Sequence, residues 1–82
     1  MKGVIVLNSS FDKRLLLLLE DMNISQRDFA DLTKLTESAI SHYIKGDRAP
    51  NALTLINITN ATKVSPNWLL GYGPDDQIER LN

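Results

Sequence analysis

The side chains able to do chemistry in this 82-residue chain are few: one histidine, no cysteine, nine Lys and Arg, and ten Asp and Glu. Without cysteine there is no disulfide framework, thiolate metal site or cysteine nucleophile. His42 has no second His or Cys nearby in sequence, so no tetrahedral zinc site is expected. It has no evident nucleophile or acid partner either, so no catalytic residue, metal ligand or cofactor is assigned. The notable concentration of polar chemistry is Glu37, Ser38, Ser41, His42 and Lys45. Helical periodicity places these on one side of a helix and Ala39, Ile40, Tyr43 and Ile44 on the other. Such a face presents hydrogen-bonding groups outward while its back is held by a core.

That helix needs a scaffold, and the chain length allows one small domain. A domain of this size has little room for an interior catalytic cleft, which disfavours an enzyme. The longest apolar runs, Val4 to Leu7 and Leu15 to Leu19, are far short of the roughly 20 residues of a membrane span. They also lack the arrangement of a signal peptide, so a cytoplasmic protein is expected.

Start and stop signals divide the chain into five short helices. Ser9 and Asp12 resemble a capping box opening helix 1, which runs to about Met22 with Leu15, Leu18, Leu19 and Met22 as its buried stripe. Asn23 reads as a left-handed C-cap and Ser25 as the N-cap of helix 2, which turns Phe29, Ala30 and Leu32 inward and stops near Thr33. Thr36 opens helix 3 and Gly46 ends it. Helix 4, roughly Asn51 to Thr62, is expected to face the core with Leu53, Ile56 and either Thr59 or Asn60. Ser65 and Pro66 open a short helix 5 through Trp68, Leu69 and Leu70, closed by Gly71. The expected class is all-α, a compact five-helix bundle. Residues 1–8 read as an N-terminal arm, 9–73 as the domain, and 74–82 as a short acidic C-terminal tail.

Helices 2 and 3, joined by a tight turn, describe a helix-turn-helix, whose second helix stands proud of the surface and fits the major groove of B-DNA. Ser25-Gln26-x-x-Phe29-Ala30, then Leu35-Thr36-x-Ser38-x-Ile40-Ser41-x-Tyr43-x-x-Gly46, then Pro50, Leu53, Ile56, Val64-Ser65 and Trp68-Leu69-Leu70-Gly71 complete a pattern over about residues 10 to 71. This pattern resembles the Cro/CI-type (XRE-like) phage repressor helix-turn-helix family, which has the lambda-repressor-like fold.

The resemblance implies a sequence-specific regulator binding a palindromic operator in double-stranded DNA as a homodimer. It implies base contacts from Thr36, Glu37, Ser38, Ser41 and His42, and phosphate contacts from Gln26, Lys45, Arg48 and Asn51. Phosphate contacts set register and base-edge contacts set sequence. Among these, Thr36 is also a helix cap, and Glu37 is also a first-turn acid favoured by the helix dipole. A dimer surface is expected after helix 4, at Trp68, Leu70 and Tyr72, although Trp68 reads first as a core anchor locking helix 5, with the dimer contact as its rival role. The competing reading is a protein-interaction module, such as an antirepressor, adaptor or antitoxin, with a protein partner.

Departures from the family pattern carry expectations too. Lys34 stands where the family's turn often has glycine in a left-handed conformation. Leu19 and Ile44 replace an Arg–Glu pair that many relatives bury, and the two are expected to touch. Leu16 and Leu17 are expected to point outward, forming with Val4, Ile5 and Val6 a patch for a second protomer, unless the arm covers them. The formal charge of −1 argues against strong phosphate attraction. Asp75, Asp76 and Glu79 against Arg80 account for two negative charges, leaving residues 1–74 with eight basic and seven acidic groups, or +1.

Overall fold

The computed structural model describes residues 10–81. Ser9 and the whole expected arm, Val4, Ile5 and Val6 included, lie outside the described residues. Five helices follow in order: α1 (Phe11–Met22), α2 (Gln26–Thr33), α3 (Glu37–Lys45), α4 (Ala52–Thr62) and α5 (Pro66–Leu69). Among the described residues there is no extended strand, only an isolated antiparallel bridge between Val64 and Arg80. This is the all-α repressor-like bundle.

Local capping chemistry sets most of the boundaries. The side chains of Ser25, Thr36 and Asn51 each accept from the backbone N–H three residues on, satisfying an amide that the helix itself cannot. Ser65 does so two residues on, ahead of Pro66 at the first helical turn. At α1 the N-cap is Ser10, whose hydroxyl donates to the Asp12 carboxylate rather than capping the backbone. That bond holds the Asp12 carboxyl below the usual carboxylate range. Asn23, Lys34 and Gly46 are all left-handed at helix C-termini, Lys34 accepting the conformation at φ 61°.

Gly46 is required on two counts. Its φ is +83°, and a Cβ added there would lie 3.0 Å from Asp12 Oδ2. Gly46→Ala is therefore expected to lower stability by about 1–2 kcal/mol, seen as an earlier urea midpoint with unchanged slope. An unchanged midpoint would refute the steric argument.

The core joins Phe11, Leu15, Leu18 and Leu19 of α1 to Phe29, Ile40, Tyr43, Ile58, Val64, Trp68 and Leu69. The Phe11 and Tyr43 rings meet edge to face at 5.6 Å. Leu19 is in this cluster and Ile44 packs against it, half-buried. Leu16 points outward as expected, whereas Leu17 and Met22 are half-buried.

Helix α4 turns a different face inward from the expected one, and α2, whose Phe29 and Ala30 are buried as expected, differs at Leu32 alone. Leu53 and Ile56 are 64% and 53% exposed, while Thr54 and Ile58 are buried. The α4 sequence is apolar on several sides, so its pattern does not choose a face. Thr54 can enter because its hydroxyl lies 2.8 Å from the Tyr43 hydroxyl and donates to Asn51 Oδ1 at 3.0 Å. On α2, Thr33 rather than Leu32 goes in, donating its hydroxyl proton to Phe29 O at 2.7 Å.

The acidic stretch expected as a trailing tail instead folds back over residues 74–81. Ser65 donates its amide to Glu79 O, Leu81 donates to Lys63 O, and Arg80 pairs with Asp21 at 3.0 Å. Ile78 packs on the core, and Trp68 Nε1 donates to Pro74 O at 2.9 Å. The anchor is Arg14, fully buried in α1, whose guanidinium collects carbonyls from Trp68, Tyr72 and Gly73 and pairs with Asp75.

Candidate nucleic-acid interface

The second helix of the α2–α3 pair is fastened from behind. Ile40 and Tyr43 are buried, so the opposite face of α3 is held outward by their packing. On that face Glu37 and Ser38 in the first turn are exposed, and Ser41 and His42 one turn on are half-buried. The i, i+4 spacing stacks Glu37 over Ser41 and Ser38 over His42. Lys45 continues the row and is exposed. Thr36 is exposed too, with its hydroxyl oxygen accepting from Ala39 N at 3.0 Å, so its first task is capping.

The expected phosphate groups flank this helix. Gln26 is half-buried at the first position of α2, while Lys45 and Arg48 are exposed and make no ion pair among the described residues. Asn51 is exposed, but its side-chain oxygen caps α4 by accepting from Thr54 N at 2.8 Å. At a helix N-terminus the leading amides have no intrahelical acceptor, which is what the Asn51 cap answers at Thr54.

Sequence reasoning missed one member of this surface. Asp47, just past Gly46, lies 2.8 Å from His42 Nδ1 through its Oδ1. The signal available was the left-handed glycine between them, which folds the chain back so that the Asp47 amide reaches His42 O.

Of the expected dimer residues, Leu70 and Tyr72 are exposed, Tyr72 by 70%. Trp68 has no surface to offer a partner. It is fully buried, with Arg14 Cζ 4.8 Å from its ring centroid, and serves as the core anchor. Among the described residues no helix is long and apolar enough to cross a membrane. Nor do three His, Cys, Asp or Glu side chains among them converge as a metal site would need.

A short helix pair with a tight turn and an outward polar second helix defines the helix-turn-helix class of DNA-binding regulators. The chain belongs to the Helix-turn-helix family, whose model matches residues 15–69. Members of that family are regulatory DNA-binding proteins rather than enzymes, and DNA-binding transcriptional regulation is the function at that level.

Solved structures agree on the fold. The P22 c2 repressor bound to synthetic operator 9T is 22% identical, with a TM-score of 0.70, covering 76% of this chain and 94% of that one. The restriction-modification controller protein C.AhdI from Aeromonas hydrophila is 25% identical, with a TM-score of 0.68, covering 73% of this chain and 91% of that one. A transcriptional regulator from Listeria innocua is 20% identical, with a TM-score of 0.68, covering 83% of this chain and 63% of that one. No match is found among curated proteins.

Proposed function

We propose that the protein is a phage-type repressor that binds a roughly palindromic operator as a homodimer, inserting α3 into the major groove. The observation that carries this reading is the α3 face itself. Glu37, Ser38, Ser41 and His42 stand outward on a helix whose back is locked into the core by Ile40 and Tyr43. Hydroxyls and an imidazole can donate to or accept from base edges. A carboxylate repels phosphate but accepts from cytosine N4, so Glu37 acts as a selector. Gln26, Lys45, Arg48 and the α4 N-terminus with Asn51 hold phosphates on either side. Leu70 and Tyr72 supply the dimer contact, placing two recognition helices about 34 Å apart in successive grooves. The protein acts in the cytoplasm.

An operator-bound repressor and a controller protein among the structural neighbours support the reading. The near-neutral charge adds a consequence. Few phosphate contacts make random-sequence binding weak, so base readout and dimerisation supply most of the discrimination.

The test is a fluorescence-anisotropy titration against DNA from upstream of its gene and against random DNA, at two salt concentrations. Tighter binding to one sequence is expected. Equal binding to all would overturn the reading in favour of a protein-interaction module. Arg48→Ala is expected to weaken binding to every sequence alike and flatten the salt slope by about one unit. A change of preferred bases instead would contradict its role as a phosphate contact.

A further inference from the structure

We infer that Asp47 is a positioning residue for sequence readout: it fixes which nitrogen of the His42 ring carries the proton, and so what that ring offers to a base. The inference rests on the DNA-reading role of α3 proposed above.

His42 Nδ1 and Asp47 Oδ1 are 2.8 Å apart, a hydrogen-bond distance. A carboxylate can only accept, so the proton belongs to Nδ1. In a neutral imidazole the other nitrogen is then an acceptor. A free imidazole ordinarily prefers the opposite arrangement, with its proton on Nε2. Asp47 therefore reverses the ring's usual polarity.

The chemistry on the DNA side follows directly. In the major groove, adenine N6 and cytosine N4 are the exocyclic amines that donate, whereas guanine O6 and N7 and thymine O4 only accept. A neutral His42 held with Nε2 as acceptor selects an adenine or cytosine amine. With the opposite tautomer it would donate instead, to guanine O6 or N7, thymine O4 or adenine N7. Asp47 need not touch a base to have this effect.

The local backbone supports a built arrangement. Gly46 at φ +83° reverses the chain, and the Gly46 and Asp47 amides both donate to His42 O, at 3.1 and 3.3 Å. The turn that ends α3 thus delivers the carboxylate to the ring. Both side chains are partly open, 39% and 55% exposed, so the bond itself adds little to stability. Its effect belongs on base preference.

Two measurements test this. In mildly alkaline buffer, two-bond proton–nitrogen correlations on the free protein identify the protonated ring nitrogen. The expected result is Nδ1–H in the parent protein and a shift toward Nε2–H in Asp47→Ala. Nε2–H in the parent overturns the inference whatever the DNA result. Binding is then measured to operators varied at each base. In the parent, one position should favour adenine or cytosine. In Asp47→Ala that preference should fall about threefold to tenfold, the worth of one hydrogen bond, while affinity for random DNA does not fall. Asp47→Asn, whose amide can accept or donate, should lie between the two. A parent that prefers a sequence in the same way after Asp47→Ala sinks this inference alone. A parent that prefers no sequence sinks the proposed function and the DNA part of the inference together, leaving only the tautomer result standing.

Discussion

Arg14→Ala is expected to cost about 3–5 kcal/mol of folding free energy, the combined scale of a large-to-small core substitution and of backbone carbonyls left without donors. In a small domain whose whole stability is about 5–15 kcal/mol, that is a large share. At about 4–8 °C per kcal/mol for a domain this size, the thermal midpoint should fall by roughly 12–40 °C. The argument is one of acceptors left behind. Arg14 Nη1 donates to Trp68 O at 2.7 Å and Tyr72 O at 2.8 Å, and Nη2 donates to Gly73 O at 2.5 Å. Nε reaches Asp75 Oδ1 at 2.9 Å, and the guanidinium lies over the Trp68 ring.

Alanine would strand those carbonyls and open a void beside the indole. The Asp75 side chain is 32% exposed and can be rehydrated, so most of the loss belongs to the carbonyls and the packing. Asp75→Asn should therefore cost less than Arg14→Ala, since the guanidinium keeps its carbonyl acceptors. Hydrogen exchange should locate the extra opening in residues 72–81, the segment the guanidinium ties to α1. A midpoint within a few degrees of the parent would show that Arg14 is not the tie.

Converting Glu37, Ser38, Ser41 and His42 together to alanine is expected to abolish operator preference while leaving the fold intact. Specific binding of regulators typically exceeds their non-specific binding by about 10³-fold or more, and that ratio is what the variant should lose. Glu37 and Ser38 are exposed and Ser41 and His42 half-buried, and alanine is the best helix former. Each substitution should thus change stability by only about 0.5 kcal/mol, the usual scale for surface positions. Thr36 is left in place because losing its cap would cost about 1 kcal/mol and blur the result. Removing the Glu37 charge should, if anything, strengthen binding to random DNA. Anisotropy titrations paired with thermal melts check both halves. Retained preference with an unchanged melt would move base readout to another surface.

How far each of these features could be read from the chain depends on the range of the forces behind it. The polar row on α3 was legible because a helix converts sequence spacing directly into a face. His42's partner was not, because Asp47 reaches the ring only after the chain reverses at Gly46. The exposed Leu53 and Ile56 show the same limit in the core. An apolar helix leaves its orientation to whichever neighbours offer the better fit, here the Tyr43 hydroxyl that takes in Thr54.

By itself, the sequence determined what is local: the five helices of the described residues, their order, the caps at Ser25, Thr36 and Ser65, and the helix ends at Asn23 and Gly46. Each of these rests on bonds or steric limits within a few residues, so residue type and spacing suffice. Only the tertiary structure decided which side of α4 goes in, and that residues 74–81 close back over the helices. It alone gave Arg14 a buried place among backbone carbonyls. An arginine in an amphipathic helix reads as a solvated side chain, and carbonyls more than fifty residues away carry no signature of their own in the sequence.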